Sequence, residues 1–173
     1  MPVATFGTHP PRVLIVDDSE DKRSVLNRLL GRRGYSVFEA HDAQQALAQA
    51  ARISPDIVLL EVNLPDLSGI ETLRRLRKSY DSSTLPVIMV TGEADSTIIA
   101  ACFSAGANDY VSKPVQWLVL QARIETHLSL HRAHAELLLD RDKLEAAIQR
   151  RALMITRIDQ VLHAEHERRV GPH

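Results

Sequence analysis

The stretch DIVLLEVNLPDLSG, Asp56 to Gly69, decides the fold. Its apolar run, Ile57 to Leu60, is short and bounded by Pro55 and Pro65, which reads as a buried strand and not a helix. The run ends on Glu61, a loop follows, and a helix starts near Ser68. A carboxylate at the end of so apolar a strand must reach solvent or be paired, because burying it alone is expensive.

Working outward, Val13 to Asp18 (VLIVDD) is a second apolar run, and it ends on Asp17 and Asp18. Val87 to Thr91 (VIMVT) ends on a hydroxyl, and Asp109 to Val111 leads into Ser112-Lys113-Pro114. In a parallel α/β sheet, ligands bind beyond the carboxyl ends of strands, where the strand order reverses. The residues gathered there suit a metal and a phosphoryl group: acids for a hard cation, Thr91 and Lys113 for anionic oxygens. Taken singly, each has a plainer account. Glu61 could open a solvated loop, Asp17 could cap a helix, and Thr91 could be an ordinary β-branched strand end. Their coincidence at successive strand ends favours a site.

These pieces, in order and at this spacing, resemble the receiver domain of two-component response regulators, the CheY-like family. The resemblance covers residues 12 to about 130. It rests on Val16-Asp17-Asp18, the loop Leu60-Glu61-x-Asn63-x-Pro65-x-x-x-Gly69, Thr91-Gly92, Ala105-Gly106-Ala107 and Lys113-Pro114. It implies a flavodoxin-like, doubly wound five-stranded parallel sheet of order 2-1-3-4-5. It also implies a Mg2+ (or other divalent cation) site: Asp18 and Glu61 as direct or near-direct ligands, Asp17 partly through water, Asn63 through its backbone carbonyl. Lys113 would hold a phosphoryl oxygen or the acid cluster itself, pairing with Glu61, and Thr91 would donate its hydroxyl to a phosphoryl oxygen. Tyr110 would be a switch aromatic, although a rim tyrosine with a wet hydroxyl explains it almost as well. One departure matters. The family's phospho-acceptor is an aspartate, and Glu61 stands at that position.

The rest of the chain agrees with an α/β alternation. Strands are expected at Arg12–Val16, Ser36–Glu39, Ile57–Leu60, Val87–Thr91 and Asp109–Val111. Between them fall helices to about Arg33 with Ser19 as cap, Ala43 to Arg52 with Asp42 as cap, Gly69 to Lys78, and Ser96 to Ala105. No glycine-rich loop follows the first strand, which disfavours a dinucleotide fold. Among 173 residues there is one cysteine, Cys102, so no disulfide framework forms within the chain and a reducing cytoplasm is expected. A net charge of −1 makes no case for nucleic acid or a membrane surface, and no run is long enough to span a membrane.

From Val115 to Val170 there is no glycine or proline. A helix of that length would be on the order of 80 Å long. Leu130, Leu137, Leu144, Ile148, Ile155, Ile158 and Leu162 follow a seven-residue repeat as d, d, d, a, a, d and a, with His134, Arg141 and Arg151 interrupting it. The pairs His127/His131 and His163/His166 have metal-compatible spacing, but solvated faces and seam positions account for them better. The expected organisation is an arm over 1–11, a receiver over 12–130, a coiled-coil extension over 131–170 and a tail over 171–173.

The functional expectation is a cytoplasmic, non-enzymatic response regulator module. Its partners would be a histidine kinase or phosphotransfer protein, a second copy through the coiled coil, and a missing C-terminal output domain. Glu61 would be a partial phosphomimic or a blocked site. The alternatives are a phosphorylation-independent pseudo-receiver used for dimerisation, or the input piece of a longer enzyme such as a nucleotide cyclase.

Overall fold

Successive residues of the strands point into two different apolar cores, and that alternation builds the sheet. The computed structural model describes residues 9–92 and 95–169. Its elements are β1 (Arg12–Val16), α1 (Glu20–Gly31), β2 (Ser36–Ala40), α2 (Ala43–Ile53), β3 (Ile57–Glu61), α3 (Gly69–Arg77), β4 (Val87–Thr91), α4 (Ser96–Ser104), β5 (Asp109–Ser112) and α5 (Trp117–Arg169). All strand pairs are parallel, in the order β2-β1-β3-β4-β5. Leu14, Val16, Val58, Leu60, Val87 and Met89 pack with α2, α3 and α4. Val13, Ile15, Ile57, Leu59, Ile88 and Val90 pack with α1 and α5. Both faces are covered, so the central strands β1, β3 and β4 read as nearly continuous apolar runs.

The chain divides into two compact units, Met1–His134 and Ala135–His173. Within the second, Leu137, Leu144, Ile148, Ile155 and Ile158 are exposed, and Arg141–Glu145 and Lys143–Asp140 pair along the helix. The expected arm falls mostly, and the tail wholly, outside the described residues. The side chains of Leu162, His163 and His166 also lie outside them.

Element ends follow local chemistry. Asp42 accepts from Gln45 N at 2.7 Å, as a cap should. Ser19 stands at the cap position of α1, but its hydroxyl makes no capping bond; Asp17 Oδ1 takes the Ser19 N–H instead, at 2.9 Å. Val25 of α1 is exposed, whereas Leu26 and Leu30 are buried. Helix α5 begins at Trp117, two residues later than expected. His127 and His131 are half-buried and hydrogen-bonded within the first unit. They face Asp109 Oδ2 at 3.3 Å and the Ser83 carbonyl at 3.0 Å.

Sequence reading also missed Arg77. Its guanidinium donates to the carbonyls of Gly106 at 2.8 Å and Leu85 at 3.0 Å, and to Asn108 Oδ1 at 3.0 Å. Burial pulls its pKa below the usual arginine range, against nearby Asp81, which favours the charge. No carboxylate bonds it directly among the described residues, so carbonyl dipoles carry the charge. Gly106, at φ +97, makes the turn that presents its carbonyl, a conformation other residues rarely adopt. Replacing Arg77 with Met takes its donors from the Gly106 and Leu85 carbonyls, leaving Asn108 Oδ1 only the Val87 amide, and should cost about 2–3 kcal/mol of stability. Arg77→Lys should recover only part, because an ammonium cannot span a planar fork of acceptors. Urea unfolding of both variants measures this; Arg77→Met within experimental error of the parent would refute it.

Candidate functional site

The strand order reverses between β1 and β3, so the chain leaves a crevice at their carboxyl ends. Two buried carboxylates meet there. Asp17 follows β1 and is 3% exposed; Glu61 ends β3 and is 5% exposed. Lys113 comes from the loop after β5. Its N–H donates to the Thr91 carbonyl at 2.7 Å, and its bond to Pro114 is cis. The ammonium donates to Asp17 Oδ2 at 2.8 Å and also to Glu61 Oε2. One lysine therefore bridges two acids, which lessens their mutual repulsion and leaves one negative charge in excess. Burial lowers the Lys113 pKa, and Asp17 beside it opposes that.

The remaining oxygens are also engaged. Glu61 Oε1 accepts from Val62 N at 2.9 Å and Asn63 N at 3.3 Å, so this side chain folds back over its own loop. Asp17 Oδ1 takes the Ser19 N–H, with Lys22 at 3.9 Å. Arg23 donates to the Asp17 carbonyl at 2.7 Å and pairs with Glu39. Asp18 and Asn63 are exposed at the mouth. Thr91 ends β4 and is buried. Tyr110 lies apart from the acids, half-buried, with its ring edge-on to Phe103 at 6.1 Å. Thus Asp17, Glu61 and Lys113 make direct contact, and Tyr110 sits on a different wall.

The loop after Glu61 is held at several points. Gly69 N donates to the Val62 carbonyl at 2.6 Å. A Cβ at Gly69 would collide with the Glu61 carbonyl, so only glycine lets α3 start this close to β3. Asp66 accepts from Ala43 N at 2.9 Å and Gln44 N at 3.1 Å, which ties the loop to the start of α2. Those bonds hold its pKa below the usual carboxylate range, that from Ala43 most of all. Beside the acids, Val25, Leu29, Pro114, Val115 and Trp117 line an apolar groove of about 400 Å³ that reaches Asp17 and Lys113. Nothing in the sequence reading anticipated Asp66 or the groove, because both join segments distant along the chain.

For a divalent cation, the donor chemistry fits: Asp17, Asp18 and the Asn63 carbonyl offer hard oxygens, and Mg2+ needs few protein ligands because it keeps several waters. The allotment is less favourable. Lys113 takes Asp17 and Glu61 together, and no group of three or more Asp, Glu, His or Cys side chains converges on a metal-binding geometry among the described residues. No helix among them is long and apolar enough to cross a membrane.

The sequence model of the response regulator receiver domain matches residues 13–125. The chain is 40% identical over 121 residues to the KDP operon transcriptional regulatory protein KdpE of Escherichia coli strain K12, covering 70% of this chain and 52% of that protein. It is 33% identical over 150 residues to a Probable cyclic di-GMP phosphodiesterase of Vibrio cholerae serotype O1, covering 87% of this chain and 34% of that one. The chain thus spans about half of the first relative and about a third of the second. A CheY-like receiver domain protein of Methanospirillum hungatei JF-1 superposes with a TM-score of 0.69 at 30% identity, covering 72% of this chain and 98% of that one. Receiver domains of this kind generally bind Mg2+ at the phosphorylation site, and response regulators take their signal from histidine kinases. With its 2-1-3-4-5 sheet and its acids and lysine at the strand ends, this chain belongs to the response regulator receiver domain family of two-component systems.

Proposed function

We propose that Glu61 occupies the phospho-acceptor position of this receiver and acts as a partial, built-in substitute for phosphorylation. The observation that carries the reading is the Lys113 bridge to Glu61 and Asp17. The carboxylate that would accept a phosphoryl group already holds the lysine that would bind it. The module would be regulatory and not enzymatic, with Thr91 and Tyr110 as switch residues. A histidine kinase or phosphotransfer protein would dock an apolar surface in the groove beside Lys113.

Mg2+ would be held by Asp17, Asp18 and the Asn63 carbonyl, with Glu61 joining only when Lys113 lets it go. When bound, it supplies charge neutralisation for phosphoryl oxygens. Asp18 would orient the cation at the mouth, and Lys113 would hold the remaining oxygen. Mg2+ should raise the melting temperature by mass action on the folded state. Asp18→Asn should abolish that rise; a variant that responds like the parent would place the cation elsewhere.

The output would pass through a second copy of the chain. Leu137, Leu144, Ile148 and Ile155 are each about 60–70% exposed, a stripe too apolar to stay in water. Isoleucine at a with leucine at d favours two parallel strands. Side by side with Glu61→Asp, the parent chain should show a dimer affinity between the unphosphorylated and phosphorylated levels of that variant. Equality with the unphosphorylated level would leave Glu61 as a locked site and favour the pseudo-receiver reading, to which its saturated hydrogen bonding already points.

A further inference from the structure

Heptad phase and packing make competing demands on one stretch of α5. The repeat that aligns Leu137, Leu144, Ile148 and Ile155 also puts His127 and His134 at a, Leu130 at d and His131 at e. Within the first unit the histidines of that face are already engaged, while Leu130 itself is 61% exposed. Asp109 of β5 holds Arg123 at 2.5 Å and His127 at 3.3 Å. His131 Nδ1 lies 3.0 Å from the Ser83 carbonyl, and His134 Nε2 lies 3.1 Å from Ser83 Oγ. The single hydroxyl proton of Ser83 goes to Asp81 Oδ1 at 2.6 Å, so His134 Nε2 must be the donor to Ser83. Ser83 and Thr84 hold the Asp81 pKa down at about 2, which keeps this anchor ionised. Ser82, Ser83 and Pro86 line a cavity of about 230 Å³ with the same three imidazoles and Leu130.

We propose that the loop between α3 and β4, residues 81–84, masks the first heptad of the dimer seam at His131 and His134, blocking the approach of a partner helix although the Leu130 side chain is itself exposed. A second copy of the chain zips onto α5 from Leu137 onward, and extending the seam back to Leu130 requires Ser83 to release His134. The two arrangements exclude each other. A partner helix packs with its axis about 8–10 Å away, over the face that Ser83 now occupies. His134 cannot both donate to Ser83 and face its counterpart across a seam. The loop is also well placed to hear from the site. Helix α3 starts against the Glu61 carbonyl at Gly69 and ends at Arg77, whose guanidinium donates to the carbonyls of Tyr80 and Leu85 on either side of the loop. One helix thus runs from the acid cluster to the mask.

This inference rests on the dimer reading, and cysteine cross-linking separates the two. Leu137→Cys and Leu130→Cys are made in the full chain, with the parent, whose one cysteine (Cys102) is buried, as the blank. Under mild oxidation Leu137→Cys should form a covalent dimer readily, and Leu130→Cys should do so slowly. Adding Ser83→Ala, or separately His134→Ala, should speed the Leu130→Cys cross-link about five- to tenfold, the worth of one hydrogen bond, and leave Leu137→Cys unchanged. Leu130→Cys as fast as Leu137→Cys in the parent would overturn the mask. So would a Leu130→Cys rate that neither Ser83→Ala nor His134→Ala alters. Failure of Leu137→Cys to cross-link in every background would instead remove the dimer, and the mask with it.

Discussion

Mixed with Mg2+ and acetyl phosphate, a Glu61→Asp variant should take up phosphoryl groups, and the parent chain should take up essentially none. A nucleophile must sit in line with the breaking bond at near-contact distance, and a displacement of about 1 Å can cost about 100-fold in rate. Glutamate is longer than aspartate by one carbon–carbon bond, about 1.5 Å. Here the extra length is used. Glu61 Oε2 reaches Lys113, and Oε1 turns back to the Val62 and Asn63 amides. Neither oxygen is free to attack, and Lys113 is not free to receive the phosphoryl group. Shortening the side chain should release both. Glu61 carries one charge against roughly −1.5 to −2 for a phosphoryl group, and it lacks the tetrahedral oxygens, so it should bias the switch without saturating it. Stable labelling of the parent, read by intact-mass spectrometry, would remove the proposal that Glu61 stands in for phosphate.

Ile148→Glu together with Ile155→Glu should weaken the dimer by at least about 100-fold, since buried, unpaired charges at a seam cost several kcal/mol. Both residues fall at a positions and are exposed within the second unit. The substitutions should leave the sheet untouched, because neither residue belongs to its cores. Helix propensity should change little, glutamate being at least as good a helix former as isoleucine. A chain ending after His134 should likewise fold and be monomeric or weakly dimeric. Sedimentation that finds parent and double variant equally monomeric would remove the coiled coil, and equally tight dimers would move the interface elsewhere.

The three central strands, β1, β3 and β4, were legible because each is a short apolar run bounded by Pro or a charge; β2 and β5 are more polar and were placed by the alternation of strands with helices. The acids were legible because a carboxylate straight after such a run has few places to go. What Lys113 holds was only half legible. Its two partners come from strands far earlier in the chain, and Glu61 was expected as a metal ligand as well as its partner, whereas in the structure it is held by Lys113 and its own loop. Arg77 stayed hidden because an arginine among Arg74 and Arg75 on a short helix reads as surface. Only the fold brings Gly106, Leu85 and Asn108 around it. His131 and His134 were read as solvent or seam, because nothing in their spacing announces that Ser83 lies opposite. In each case the deciding partner is remote in sequence, where local pattern carries no information.

The alternation of β1, β3 and β4 between two cores bears on how such a chain can drift. Leu14 and Ile15 are neighbours in sequence but strangers in packing. A volume change at Leu14 is compensated at Val58 or Ala46, not at Ile15. Mutations on opposite faces should therefore accumulate almost independently, as distant sites do. Each layer of helices can be remodelled for new partners without retuning the other. The carboxyl edge, where Asp17 and Glu61 share one lysine, is where both histories must agree.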